Sequence, residues 1–171
     1  MNPIVSVIMG STSDLPVMEA CLNFLDSQEI PFEVNALSAH RTPNKVLDFA
    51  ANAASRGIKV IIAAAGGAAH LPGVIAAATT LPVIGVPIKA SISMDWLDSM
   101  LSMIQMPPGI PVATVGLNAS QNAAILAMEI LAVADPTVAR KMAEYKAGLS
   151  AKIVKANEDL AKLDKWHFKT N

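Results

Sequence analysis

His40 and Arg41 stand side by side in the stretch "LSAHRTPNK", residues 37–45, and His40 is one of only three histidines in the chain. A histidine can give or take a proton near neutral pH. An arginine beside it can clamp a phosphate or carboxylate with two parallel hydrogen bonds. An exposed turn leading into a capped helix would also accommodate the pair. Two further stretches carry comparable potential. In "GSTSD", Gly10 to Asp14, the glycine permits a tight turn, and Ser11, Thr12 and Ser13 offer hydroxyls. Asp14 can cap a helix or accept from ribose hydroxyls, and the backbone N–H groups of that helix suit a phosphate. Taken alone, a plain strand-to-helix turn with a Ser/Asp cap is the better explanation of this motif. It is neither G-x-G-x-x-G nor a Walker sequence, which counts against dinucleotides and nucleoside triphosphates. In "AAGGAAHLPG", Ala64 to Gly73, the residues Gly66, Gly67, Ala68 and Ala69 leave backbone N–H groups open to a flat ligand. His70 follows, and a single histidine there also fits a structural role. The loop "MPPGIP" (106–111) needs no explanation beyond packing.

The elements that must position these residues alternate in type. "IVSVIM" (4–9), "FEVNAL" (32–37), "KVIIAAA" (59–65), "PVIGVP" (82–87) and "IPVATV" (110–115) read as strands. Cys21, Leu22 and Leu25, preceded by Val17 or Met18, form the stripe of a first helix capped by Ser13 or Asp14, with Pro16 in its first turn. Thr42-Pro43 starts a second helix whose apolar face is Val46, Leu47, Ala50, Ala53 and Ala54, ending at Gly57. Further helices are predicted over about 73–79, 94–105 and 120–134, the last of them apolar around most of its circumference. After Asp135-Pro136 a long polar helix carries Val138, Met142, Tyr145, Leu149 and Ile153 near heptad spacing, a stripe fit to dock on its own domain or on a neighbour. Trp166 and Phe168 lie in the tail.

Strands alternating with helices imply βαβ units, right-handed crossovers and a parallel sheet. The expectation is one α/β domain over 1–171. It consists of a flavodoxin-like three-layer sandwich over 1–134, with five strands in the order 2-1-3-4-5, and a C-terminal helix and tail over 136–171. Ligands of such sheets bind beyond the carboxyl ends of the strands. The three polar or glycine-rich stretches follow strands one, two and three and so meet at that edge. Together they point to a small anionic ligand, a sugar phosphate or mononucleotide, with His40 the best acid/base candidate.

Composition narrows the class. Hydrophobic residues are 53% of the chain, charged residues 16% and aromatics 4%, so the apolar mass is aliphatic. So little charge implies that neighbouring subunits cover part of the surface. A net charge of −1 gives no nucleic-acid or anionic-membrane footprint. The single cysteine, Cys21, rules out an internal disulfide framework and reads as a buried core thiol; no Cys/His cluster has zinc spacing. The opening "MNPIVSVIMG" lacks the basic region and the length of a signal peptide, so a cytoplasmic location is the default. No Asp, Glu, Lys or Arg occurs between Lys59 and Lys89. Gly66, Gly67, Pro72, Gly73, Pro82, Gly85 and Pro87 break that run, which excludes one membrane-spanning helix.

"VIMGSTSD", "SAHRTP", "AGGAAHLPG", "LPVIGVP" and "QMPPGIPVATV", in this order and spacing, resemble the N5-carboxyaminoimidazole ribonucleotide mutase family of purine biosynthesis. The resemblance covers roughly residues 4 to 134. It implies transfer of a carboxyl group from the exocyclic nitrogen of the ribonucleotide to ring carbon C4, with no metal, ATP, biotin or other cofactor. By motif position, His40 would be the general acid/base. Ser11, Ser13 and Asp14 would hold the ribose phosphate, and Ser38 and Arg41 would contact substrate. Gly66, Gly67, Ala68, His70 and Leu71 would wall the pocket around the imidazole and the migrating carbon dioxide. The family forms homo-octamers with sites between subunits. Related direct carboxylases, which use free carbon dioxide, carry Lys-Gly after the histidine and an Arg-Ser-Asn-Gly type third loop; both loops here are of the mutase type. Two stretches depart from the pattern, "ISMDWLDSM" in place of a Gly-Leu-Asp-Ser run and the shortened "GLNASQNAA" (116–124). The alternatives are a direct aminoimidazole ribonucleotide carboxylase, a related domain acting on a pyridine mononucleotide, and a flavodoxin-like module that binds without turnover.

Overall fold

The computed structural model describes residues 2–163 and 165. Five strands form one sheet: β1 (Val5–Met9), β2 (Phe32–Ala36), β3 (Val60–Gly66), β4 (Val83–Ile88) and β5 (Ala113–Thr114). Six α-helices join and follow them: α1 (Leu15–Ser27), α2 (Pro43–Ala53), α3 (Leu71–Ala77), α4 (Leu97–Ile104), α5 (Ser120–Ala132) and α6 (Pro136–Ala161). The sheet order is β2-β1-β3-β4-β5 and every pairing is parallel, the doubly wound arrangement expected of this alternation.

The pleat of the strands sorts side chains into two cores. Val5, Val7, Met9, Val60, Ile62 and Ala64 pack with α1, α5 and the start of α6. Ile8, Ile61, Ala63, Ala65 and Val83 pack with α2, α3 and α4 on the other face. Helices on both faces are why β3 and β4 read as unbroken apolar runs, and β1 as one interrupted only by the buried Ser6, whose hydroxyl donates to Glu33. They also explain the uncharged stretch 60–88, which is β3, α3 and β4 in succession; no helix among the described residues is long and apolar enough to cross a membrane.

Several boundaries differ from the sequence reading, each for a local reason. Helix α3 begins at Leu71 rather than about residue 73, because Pro72 sits in the first turn, where its missing N–H has no intrahelical partner to lose. Helix α4 begins at Leu97 rather than 94, since Asp95 and Trp96 have φ of +52° and +71°, outside the helical region. Strand β5 is two residues long instead of six. It is an edge strand, Pro111 offers no N–H to it, and only Ala113 and Thr114 pair with β4. On α2 the buried face is Val46, Ala50 and Ala53, while Leu47 and Ala54 are exposed.

The C-terminal helix docks through its first turns only. Val138 and Met142 are buried, and Tyr145 meets Phe24 of α1 edge to face at 4.9 Å between ring centroids. Asp135 caps the helix by accepting from the N–H groups of Thr137 and Val138, and Lys141 donates to the Gln28 carbonyl and pairs with Glu29. Beyond these contacts the stripe is bare: Leu149, Ile153, Val154 and Leu160 are exposed. Trp166 and Phe168 lie outside the described residues.

Candidate active site at the sheet switch point

Strand order reverses around β1, with β2 on one side and β3 on the other. The crevice beyond the carboxyl ends at such a point is where ligands of open α/β sheets bind. A cavity of about 430 Å³ lies there. Its wall includes Gly10, Ser11, Ser13 and Asp14 after β1, Ser38 to Arg41 after β2, and Gly66, Ala68, His70 and Leu71 after β3. Three loops that sequence spacing assigned to one edge therefore surround one space.

Each loop is tied down by its own hydrogen bonds. After β1, Ser11 caps a short 3-10 turn, Thr12 to Asp14, in a capping box: its hydroxyl accepts from the Ser13 N–H, and the Asp14 carboxylate accepts from the Ser11 N–H at 3.2 Å. Asp14 stands at the N-cap of α1, as expected, but makes no side-chain cap there; the side-chain cap falls one turn earlier, on Ser11 of the 3-10 turn. Asp14 is 5% exposed. Burial pushes its carboxyl above the usual aspartate value, with hydrogen bonds from Ser11 and Ser13 opposing the shift. This is a carboxylate with few competing partners at the bottom of a polar wall.

After β2, residues 38–42 form a closed turn. The Thr42 N–H donates to the Ser38 carbonyl at 2.8 Å, and the Thr42 hydroxyl accepts from the Ser38 N–H at 3.1 Å. Thr42 thus closes the preceding turn and makes no side-chain cap on α2. Arg41 reaches from this turn across to β1, where Nη2 donates to the Gly10 carbonyl at 3.0 Å; Nε donates to the Ser38 hydroxyl at 3.3 Å. No carboxylate among the described residues pairs with Arg41, and Nη1 has no protein partner there, so the guanidinium keeps charge and donors for an anion. His40, at the apex of the turn, meets His70 with Nε2 and Nδ1 2.9 Å apart.

After β3, Gly66 is required by close approach. A Cβ there would lie 2.6 Å from the Ala90 Cβ and 2.9 Å from the Ile88 carbonyl oxygen. Gly67 has φ of +61°, buries its backbone, and donates its N–H to the Ser93 hydroxyl. Among the proposed pocket residues it is the one that does not line the cavity: it shapes the loop beneath Ile92. Ala69 is buried in the core.

The loop after β4 completes the wall with Ala90, Ser91 and Ile92. Sequence reading placed no ligand contact there, since the stretch has neither the glycines nor the paired polar residues of the other three. The available signal was position: this loop follows the next strand at the same carboxyl edge. The Ser93 hydroxyl holds it in place, accepting from the N–H groups of Gly67 and Ala90. The finished site combines hydroxyls, one carboxylate, one arginine and two imidazoles with the apolar surfaces of Ala39, Ala65, Leu71 and Ile92. Such a wall can anchor a phosphorylated sugar at one end and enclose a flat, weakly polar ring at the other.

Comparison with known proteins points the same way. The N5-carboxyaminoimidazole ribonucleotide mutase of Pyrococcus abyssi is 55% identical over 144 residues, covering 84% of this chain and 82% of that protein. The phosphoribosylaminoimidazole carboxylase of Candida glabrata is 57% identical over 144 residues, covering 84% of this chain but 25% of that much longer one. The crystal structure of Treponema denticola PurE superposes with a TM-score of 0.82 at 27% identity, covering 94% of this chain and 99% of that one. A model of the AIR carboxylase family matches residues 4–152, from the start of β1 into the bare part of α6. With the whole sheet and all four site loops inside that match, the chain belongs to the AIR carboxylase family.

Proposed function

We infer that this chain is an N5-carboxyaminoimidazole ribonucleotide mutase, moving the carboxyl group from the exocyclic nitrogen to C4 in purine biosynthesis. The observation that carries the reading is the convergence of three polar loops on one cavity, with His40 on its wall beside an Arg41 that pairs with no carboxylate among the described residues. The mutase relative is matched over most of its own length, whereas the carboxylase relative is matched over a quarter. The loops here, His40-Arg41-Thr42 and Gly66-Gly67-Ala68-Ala69, lack the Lys-Gly and Arg-Ser-Asn-Gly features of the direct carboxylases.

In this reading Ser11, Ser13 and Asp14 hold the ribose phosphate, with Ser38 and Arg41 completing the anion and hydroxyl contacts. Gly66, Ala68, His70 and Leu71 flank the imidazole, and Gly67 sets the curve of their loop. The carbamate C–N bond breaks, its electron pair stays on nitrogen, and a proton from His40 restores the amine. Carbon dioxide is retained among the alanine, leucine and isoleucine surfaces. C4, enamine-like through the neighbouring amine, attacks it. The C4–H bond then breaks, its electrons restore the aromatic ring, and the proton returns to His40. Proton count and charge balance over the cycle without a co-reactant. Holding both fragments makes recapture intramolecular, and the apolar wall keeps water from the intermediate.

The reading extends to a cytoplasmic homo-octamer. The exposed apolar side chains Ile92, Met94, Leu97, Leu101 and Ile104 and the bare stripe of α6 support assembly, since a monomer would leave them in water. Purified protein given the carboxyamino substrate should form the C4 carboxylate without ATP and at a rate independent of added bicarbonate. Turnover only with aminoimidazole ribonucleotide and bicarbonate would assign the chain to direct carboxylation instead.

A further inference from the structure

His40 and His70 are 30 residues apart in sequence, and their rings meet edge-on, 5.0 Å between centroids at an interplanar angle of 82°, with Nε2 of His40 2.9 Å from Nδ1 of His70. Both rings stand on anchored backbone. The His40 turn is closed by Ser38 and Thr42. His70 occupies the N-cap position of α3, its N–H donated to the Ala68 carbonyl and its carbonyl accepting from Val74. The other charged or titratable groups on the cavity wall are Asp14 and Arg41, and neither hydrogen-bonds to an imidazole: Asp14 is bonded to Ser11 and Ser13, Arg41 to Gly10 and Ser38. Among the described residues the only hydrogen-bond partner of the His40 ring is therefore His70.

A neutral imidazole has one N–H and one lone pair. If His70 donated from Nδ1, a neutral His40 would carry its own proton on Nδ1 and spend its lone pair on His70, leaving nothing to accept a proton from carbon. If His40 donates from Nε2, its Nδ1 lone pair is free. On this ground we propose that His70 is a positioning residue for the reaction inferred above, accepting the His40 Nε2–H and so holding His40 in the tautomer whose Nδ1 exchanges the proton with substrate. His70 keeps its own proton on Nε2 throughout and takes up none from the reaction. When the C4 proton arrives at Nδ1, His40 becomes a cation, and its bond to the His70 lone pair becomes charge-assisted and stronger. That gain is given up when His40 protonates the exocyclic nitrogen and recovered when Nδ1 takes the C4 proton, so it acts on the second proton transfer and not on substrate binding. The logic is that of an orienting partner behind a working histidine.

The inference rests on the mutase reading, and the test separates the two. His70→Leu removes the acceptor at similar size; His70→Asn keeps an amide oxygen close to where Nδ1 stood but cannot carry an imidazole proton. The expected result is a kcat about 10- to 100-fold lower in the leucine variant, the size of loss seen when the hydrogen-bond partner orienting a metal-bound histidine is removed, with most of the rate restored in the asparagine variant. KM should stay within about threefold, because the interaction belongs to the transition state. A raised KM with unchanged kcat would make His70 a wall residue only, and an equal loss in both variants would mean that His70 itself carries the proton; either overturns the proposal. A nitrogen-15 spectrum of the unliganded wild type supplies a readout independent of activity. The bridging proton should couple to His40 Nε2, and finding it on His70 Nδ1 also overturns the proposal. If wild-type protein turns over no carboxyamino substrate, the mutase reading fails, while the nitrogen spectrum still decides which ring owns the proton.

Discussion

His40, Arg41 and Asp14 are three side chains with different physical burdens. His40 is exposed at the apex of a turn, so replacing it should leave the fold untouched. His40→Asn is expected to lower kcat by about 10²- to 10⁴-fold, the usual worth of a positioned acid/base, with substrate binding by calorimetry nearly unchanged. Retained turnover would clear His40 of the role. Asp14 is the opposite case, because burial raises its carboxyl above the ordinary value of 3.8. A group whose folded value is raised binds its proton more tightly when folded. Its contribution to stability is therefore complete in acid and lost as pH rises through the folded value. Asp14→Asn removes that term. The difference in Tm between variant and wild type should thus move in the variant's favour between about pH 3 and pH 7, while affinity for the ribonucleotide falls. A flat or opposite trend would show that the carboxylate is not strained by its burial. Not every unusual residue carries chemistry. Cys21 is fully buried, and burial pushes its thiol up to about 12, in keeping with the inert core thiol that its helical position implied.

At the scale of elements, the site depends on how closely the ends of β3 and β4 approach. A Cβ added at Gly66 would meet the Ala90 Cβ and the Ile88 carbonyl, and the second of these is backbone, so no rotamer change can relieve it. Gly66→Ala is expected to cost about 1–3 kcal/mol, the range for overpacking, seen as a lower urea midpoint. It should also lower activity by shifting the loop that carries Ala90 to Ile92. An unchanged midpoint would mean that the loop yields freely. Much of this level was legible beforehand. The strand and helix order came from hydrophobic alternation and breakers, which are local properties of the chain. Errors clustered where a long-range or stereochemical term overrode the pattern: Asp95 and Trp96 in left-handed geometry before α4, and β5 shortened at an edge next to Pro111. Leu47 belonged to the apolar pattern of α2 yet is exposed, because a helical stripe defines a direction and not the width of the surface that covers it.

At the scale of the whole molecule, the surface carries several large apolar side chains, which the assembly proposed above would cover. Ile92, on the cavity wall, is 79% exposed, and Met94, two residues on, 80%. Light scattering coupled to size exclusion should give a mass of eight times 17.9 kDa. A monomeric mass with full activity would remove assembly from the account of the site.

By itself, the sequence determined the order of elements, the two-sided burial of the central strands, and the placing of three motifs after β1, β2 and β3. Each of these follows from periodicity and turn chemistry within a few residues. Only the tertiary structure decided that His40 faces His70, that Arg41 is tied to Gly10, that Gly67 shapes the loop without lining the cavity, and that the loop after β4 closes the wall. Those contacts join residues from 26 to 31 positions apart. They depend on which strands lie side by side and on the close packing of β3 against β4, quantities that no local pattern of residue types contains.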